Sequence, residues 1–328
     1  MEKQFDIVAV GEILVDFVSR ETADGKKLVL EGNPGGAPAN VLAAASRLGK
    51  RTGLIGKVGS DGFGPFLTRE IAAAGVDVRG VVSDPVNPTT LAMVTLDVTG
   101  NRSFGFYREK TADVMLTEED LDLEMIRAGR IFHFGSVTLV TDPARGATFA
   151  AARAAREAGC LVSYDPNLRI PLWKDLEEAK RVIAQGMELA DLVKVSDEEL
   201  FFLMGEGDLE EKALALAERY GLHFVMVTMG PRGCMLVQDG KVWSAETYDT
   251  PCIDTTGAGD AFWGATLSQL LELGKRPGGL TEEEALRLLD FSNAAGSMAT
   301  TKRGAIPAMP DRTEIYECMK SVPRLHVD

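Results

Sequence analysis

The stretch "DTTGAGDAF" (254–262) gathers two threonines and two glycines ahead of Asp260, and an apolar helix follows. At its simplest, a carboxylate at that point is an N-terminal partner of the helix dipole. The residues after it point further. Trp263, Leu267, Leu270 and Leu271 fall on one helical stripe, and Ser268, Gln269 and Glu272 form the expected polar face. In this register Asp260 lies over the apolar stripe, so its carboxylate is predicted to face buried surface. The first N–H groups of a helix have no partners within it and attract anions. Gly257, Ala258 and Gly259 are small enough to let a ligand approach that backbone closely. An anion hole beside a base suits a phosphate-like group and a hydroxyl that must lose its proton. The plainer alternative is a helix cap.

Other stretches offer weaker candidates. "GNPGGAPAN" (32–40) brings Gly35, Gly36 and Asn40 to a helix start, where backbone and amide groups could recognise hydroxyls; a tight loop with a cap reads equally well. Asp16, at the end of the first extended region, is a ligand contact or a turn residue. "DPNLR" (165–169) directly follows a strand, so Arg169 can project at the ligand edge of a sheet toward phosphate or carboxylate, or form a surface salt bridge. In "KVSDEEL" (194–200), Glu199 could hold a hydrated Mg²⁺ through water or simply complement a helix dipole. "VTMGPRG" (227–233) is a strand-to-turn element able to pass under a nucleotide. His133, in "IFHFG", reads as a strand residue rather than a catalyst.

Neither familiar nucleotide fingerprint is present: GxxxxGK[ST] is absent, and GxGxxG fails at Phe262. A dinucleotide loop also usually follows the first strand, which leaves a nicotinamide-dependent dehydrogenase a distant alternative.

The elements that must carry these residues alternate. "FDIVAVGEILVDFV" reads as a buried strand running into a more alternating one, and "GGAPANVLAAASRLG" as a helix stopped by Gly49. "TGLIGKVG", "RIFHFG", "LVSYDPN", "DLVKVS" and "FVMVTMG" are short apolar strands separated by helical stretches such as 143–158 and 174–189. This rhythm predicts an α/β fold with a doubly wound, mostly parallel sheet, whose ligands sit beyond the carboxyl ends of the strands. One stretch departs from it. Residues 89–107 read as two extended runs joined by the turn "TGN", with Ala92, Val94, Leu96 and Val98 on one face. Together with the first alternating strand this is expected to form a small β-sheet lid, about 13–20 and 80–108, on a single domain spanning 1–328. An ordinary antiparallel edge is the alternative.

The 328 residues carry a net charge of −14, which argues against nucleic acid and against an anionic membrane surface. Cys160, Cys234, Cys252 and Cys318 are scattered without a CxxC pair, and His133, His223 and His326 show no ligand spacing. Asp6, Glu12 and Asp16 interrupt the N-terminal apolar run, and no uncharged stretch reaches the roughly 18 residues of a membrane span. A soluble, cytoplasmic protein is the expectation. An apolar lid face would be poorly covered in one copy, so a homodimer paired through lids is also expected.

Taken together, "DTTGAGDAF", "GGAPANVLAA", "DPNLRIPLW" and "KVSDEEL" resemble motifs of the ribokinase-like carbohydrate kinases (the PfkB family), most closely the fructokinases, over about residues 5 to 310. The resemblance implies an ATP-dependent kinase acting on a sugar primary hydroxyl, fructose above all, with ATP, Mg²⁺ and a monovalent cation such as K⁺. It assigns Asp260 as catalytic base and Gly257, Ala258 and Gly259 as anion hole. It places Asp16, Gly35, Gly36 and Asn40 on sugar hydroxyls, and Arg108 and Arg169 near substrate or phosphates. Lys194, Thr228, Gly230 and Asn293 would line the nucleotide pocket, Glu199 would organise Mg²⁺, and Asp254 with Thr256 would belong to a cation loop. Two positions depart from the pattern. Ser196 stands where the family usually has Asn, and Ala37 stands where ribokinases often have Lys, which argues against ribose. Within the class the nearest rival is a 2-keto-3-deoxygluconate kinase, because Arg108 and Arg169 could bind a carboxylate. Outside it stands a non-catalytic sugar-binding protein.

Overall fold

The computed structural model describes residues 3–21, 26–96 and 102–327. In chain order its strands are β1 (Phe5–Val10), β2 (Leu14–Glu21), β3 (Leu28–Gly35), β4 (Thr52–Gly59), β5 (Val76–Asp84), β6 (Thr90–Leu96) and β7 (Arg102–Tyr107). There follow β8 (Gly129–Phe134), β9 (Leu161–Tyr164), β10 (Leu192–Ser196), β11 (Val225–Thr228), β12 (Cys234–Gln238) and β13 (Lys241–Ala245). The helices are α1 (Ala37–Arg47), α2 (Phe63–Ala73), α3 (Leu123–Arg127), α4 (Ala144–Glu157) and α5 (Leu176–Met187). After them come α6 (Asp197–Met204), α7 (Leu209–Tyr220), α8 (Ala258–Leu273), α9 (Glu282–Ala299) and α10 (Arg312–Ser321).

Strands such as "FDIVAV" and "DLVKVS" are apolar at nearly every position because both sheet faces are covered. Alternate residues of β1 divide the core. Val8 and Val10 pack with Ala147 and Ala151 of α4, Ile183 of α5, Leu200 of α6 and Leu216 of α7. Ile7 and Ala9 pack with the alanines of α1, Leu67 of α2, Trp263 of α8 and Leu288 of α9. The nine-stranded order is β13-β12-β11-β10-β9-β8-β1-β4-β5, parallel except for the β11–β12 and β12–β13 pairings. The chain winds outward in both directions from β1 and β8, so the crevice beyond their carboxyl ends is the ligand position of a doubly wound sheet.

A second sheet of order β3-β2-β6-β7 carries Asp16, with β2 antiparallel to β3 and parallel to β6. Its composition corrects the expected lid. Strand β3, whose "LVLEGNPG" ends in turn-forming residues, is part of it, whereas 80–84 belong to β5 of the main sheet. The expected turn "TGN" and Val98 lie outside the described residues. Ser268 corrects the expected polar face of α8. It is fully buried, and its hydroxyl donates to the Gly264 carbonyl one turn back (2.7 Å), which is how a mid-helix serine is satisfied away from water.

Candidate active site

Two helix starts meet at the site. A Cβ on Gly264 of α8 would lie 2.7 Å from both the Val41 carbonyl oxygen and the Ala44 Cβ of α1, so the glycine and the alanines of "NVLAAAS" bring the helices together. That approach puts Asn40 Nδ2 2.8 Å from Asp260 Oδ2, a hydrogen bond spanning 220 residues of chain. Asp260 is 7% exposed. Burial pushes its carboxyl up to about 6; Asn40, Lys194 and Arg169 oppose the rise, and Asp165 adds to it. At neutral pH it is therefore a carboxylate whose proton affinity suits a general base.

Gly257, left-handed at φ 77°, caps α8. The Ala258 N–H donates to the Thr255 carbonyl (3.2 Å) and the Ala261 N–H to the Gly257 carbonyl (2.8 Å). Among the described residues this leaves the Gly259 and Asp260 N–H groups as the donors of the first turn. Of the 257–259 backbone expected as an anion hole, the Ala258 N–H is the one already engaged.

Asp16 is partly buried on β2, opposite Asn33 of β3. Desolvation raises its carboxyl to about 6; Arg169 opposes the rise, while Asp260 and Asp254 reinforce it. Asp16, Asp260 and the exposed Arg169 are thus near enough for their charges to act on one another. A Cβ on Gly35 would collide with the Asp16 carboxylate, and one on Gly36 (φ 121°) with the Glu12 carbonyl, so both glycines admit groups that any side chain would displace. Arg108, expected near substrate or phosphates, is anchored through one nitrogen. Its Nε donates to Asp113 (2.8 Å) in a buried ion pair, and Asp113 also accepts the hydroxyls of Thr90 and Thr111.

Glu12 was not foreseen. Its Oε1 accepts the Ala37 N–H (2.9 Å), so a carboxylate from the end of β1 caps the helix that carries Asn40. Burial lifts it to about 7, with Arg108 opposing. The sequence signal was a lone acid inside an apolar run, readable there only as an interruption.

Lys194, expected in the nucleotide pocket, lies beneath Gly259 at the start of α8. Its Nζ bonds Asp165 Oδ2 (2.6 Å) in a buried pair, 3.6 Å from where a Gly259 Cβ would sit. Burial alone would depress the ammonium, yet Asp165 and Glu199 hold it above the ordinary lysine value. Asp165, another residue sequence reasoning passed over, has a buried Oδ1 without a hydrogen-bond partner; so do Asn40 Oδ1 and Glu12 Oε2. Glu199 is tied down: Oε1 accepts the Leu168 N–H (2.6 Å) and Oε2 the Ser196 N–H (2.8 Å), while Ser196 Oγ accepts the Glu199 N–H (3.1 Å). Serine at 196 therefore closes a capping box on α6. Among the described residues, no cluster of three or more His, Cys, Asp or Glu could hold a metal. With both oxygens accepting backbone N–H groups, Glu199 could meet a divalent ion carried on phosphates through water.

A cavity of about 290 Å³ lies on the far side of α8's first turn. Thr228, Gly230, Ala258, Gly259, Phe262 and Asn293 are among its lining residues. Asn293 Nδ2 also donates to the Ala245 and Glu246 carbonyls (3.0 and 3.2 Å), which fixes the chain beyond β13 as a further wall. Asp254 Oδ1 accepts the Thr256 N–H and hydroxyl (2.9 and 2.7 Å), and Oδ2 accepts the Gly304 N–H (3.1 Å), so these residues close a loop beneath α8.

A base beside free helix-start donors, between the Asp16 carboxylate and a nucleoside-sized cavity, defines a phosphotransferase built on a doubly wound sheet. The model of the pfkB family carbohydrate kinases matches residues 4–312, and the chain belongs to that family. It is 43% identical to the probable fructokinase-2 of Arabidopsis thaliana, over 96% of this chain and 95% of that protein. Among solved structures, fructokinase from Xylella fastidiosa with bound ATP aligns at TM-score 0.89 and 31% identity, covering 98% of this chain and 99% of that one. A double mutant of the Vibrio cholerae O395 fructokinase, in a form with fructose, ADP and potassium ion bound, aligns at TM-score 0.86 and 33% identity, covering 97% and 100%.

Proposed function

We propose that this protein transfers the γ-phosphoryl group of ATP to the primary hydroxyl of D-fructose, giving D-fructose 6-phosphate. The observation that carries the chemistry is the buried Asp260 carboxylate, held by Asn40 beside the outward N–H groups of Gly259 and Asp260. The substrate follows from the likeness to fructokinases over nearly the whole chain. Asp16, Gly35, Gly36 and the unpartnered Asn40 Oδ1 hold the sugar hydroxyls. Asp260 takes the proton as the hydroxyl oxygen attacks phosphorus. The helix-start donors stabilise charge on the transferred group, and Arg169 at the rim adds to it. Lys194, fixed by Asp165 next to Gly259, lends positive charge to the same side. The cavity edged by Thr228, Gly230 and Asn293 takes the nucleoside.

Mg²⁺ bound to the nucleotide would neutralise phosphate charge, with Glu199 reaching it through water. The 254–256 loop, knit by Asp254 and Thr256, is the place for a monovalent cation such as K⁺. The small sheet, as a lid, excludes water that would otherwise take the phosphoryl group.

The test is ADP release with ATP and a panel of sugars and sugar acids. D-Fructose should give the highest kcat/KM. Preferred turnover of 2-keto-3-deoxygluconate would overturn the substrate, and sugar binding without ADP release would overturn the enzyme.

A further inference from the structure

The family model ends at residue 312, the first residue of α10, yet the chain beyond it returns to the nucleotide side of the molecule. Ile315 and Cys318 of α10 pack on Phe291, Ala294 and Ala295 of α9, and the chain then runs back along 247–249. The Pro323 carbonyl accepts the Asp249 N–H (2.9 Å), Arg324 bridges Tyr248, and the Leu325 N–H donates to the Thr247 carbonyl (3.0 Å). Arg324 clamps this strap. Its guanidinium lies 4.1 Å from the Tyr248 ring centre, donates to the Glu246 carbonyl (3.0 Å) and pairs with Asp290, which also accepts the Tyr248 hydroxyl (2.6 Å). So secured, Leu325 lines the 290 Å³ cavity together with Pro231, Phe262 and the Thr247–Tyr248 wall to which the strap is stitched.

We propose that Leu325 is a nucleotide-binding residue, supplying an apolar wall for the nucleobase. The inference rests on the kinase reading above, and the strap lies beyond the region that the family model matches. The chemistry favours the base over the phosphates. Phosphate donors lie at the start of α8, whereas Leu325 belongs to a wall of the cavity beyond it, where an isobutyl group can pack on a purine face. The strap is held by backbone bonds and by Arg324, so shortening the Leu325 side chain leaves its attachment intact.

Calorimetric titration of the full chain with ADP, and separately with tripolyphosphate, tests this. Leu325→Ala should weaken ADP by roughly five- to twentyfold, about half the free-energy loss expected for three fully buried carbons, because Leu325 is only half-buried. Tripolyphosphate, which has no base, should bind as to the parent, and Leu325→Met should restore ADP. In turnover, KM for ATP should rise while kcat and KM for fructose stay near parent values. ADP affinity within twofold of the parent in Leu325→Ala, or equal losses for ADP and tripolyphosphate, would overturn the assignment. A parent that binds neither ligand would overturn the kinase reading itself.

Discussion

At the scale of single residues, the site turns on carboxyls whose proton affinity is raised by burial. Asp260 and Asp16 both sit at about 6, Asp260 against an ordinary 3.8, so the acid limb of kcat/KM should fall as pH drops through about 6. Asp260→Asn should turn over roughly 10²–10⁴ times more slowly across the pH range, the usual cost of a lost general base. It should still bind ADP. The stability consequence has the opposite sign. A carboxyl with a raised folded value holds its proton more tightly in the folded chain than in the unfolded one. Its stabilising contribution is complete below about 4 and lost as pH rises through about 6. Asp260→Asn removes that loss, so calorimetry should show a melting temperature at pH 8 no lower than the parent's, with the gap closing toward pH 4. A variant that is folded, binds nucleotide and phosphorylates within a few-fold of the parent rate would remove Asp260 from the base role. Asp260 was legible because its partners are local: a glycine turn before it and an apolar stripe after it. Glu12 and Asp165 were not, because their partners, Ala37 and Lys194, are 25 and 29 residues away and adjacency across strands and helix starts creates the contacts.

Elements matter here chiefly through how closely α1 and α8 approach. The alternation of apolar strands and helices was readable in the sequence, since a buried parallel strand needs a continuous apolar run and its crossover helix a single stripe. The α1–α8 contact was not. Ser268 was expected on a wet face because the moment of one helix says nothing about a second helix covering it. Strand β3 was hidden by its Gly, Asn and Pro, which read as loop until an antiparallel partner supplies the hydrogen bonds. Gly264 is where the close approach can be tested. A methyl there meets the Val41 carbonyl and Ala44, which overpacking rules put at about 1–3 kcal/mol, against about 1 kcal/mol regained from helix propensity. Gly264→Ala should therefore melt lower than the parent. It should also lose kcat more than it raises KM for ATP, because α1 displaced from α8 stretches the Asn40–Asp260 bond. Unchanged kcat in a destabilised variant would mean that the bond tolerates the shift.

On the scale of the whole molecule, the small sheet raises the question of what covers it. Backbone register puts Ala92 beside Asp16, and Ala92 is buried; the side chains of Val94, Leu96 and Val98, expected on an apolar lid face, lie outside those described. Leu28 and Leu30 are the exposed large apolar side chains of β3, 62% and 42% accessible, with Glu31 exposed beside them. Their strand also offers unpaired backbone groups on its free side, which isolated chains seldom leave bare. A second copy is the partner for which symmetry gives the simplest closed arrangement, edge and apolar patch meeting their own equivalents about a two-fold axis. We therefore propose a homodimer joined through the small sheets, near but not through the α8 site. Light scattering at working concentration should give twice the mass of one chain. Leu30→Glu, which places a carboxylate on each side of the axis, should shift that value to one chain while D-fructose turnover per folded subunit falls only as far as the lid depends on its neighbour. A parent that scatters as a single chain over the whole concentration range, with Leu30→Glu indistinguishable from it, would show that β3 faces water and the sheet closes over the sugar unaided.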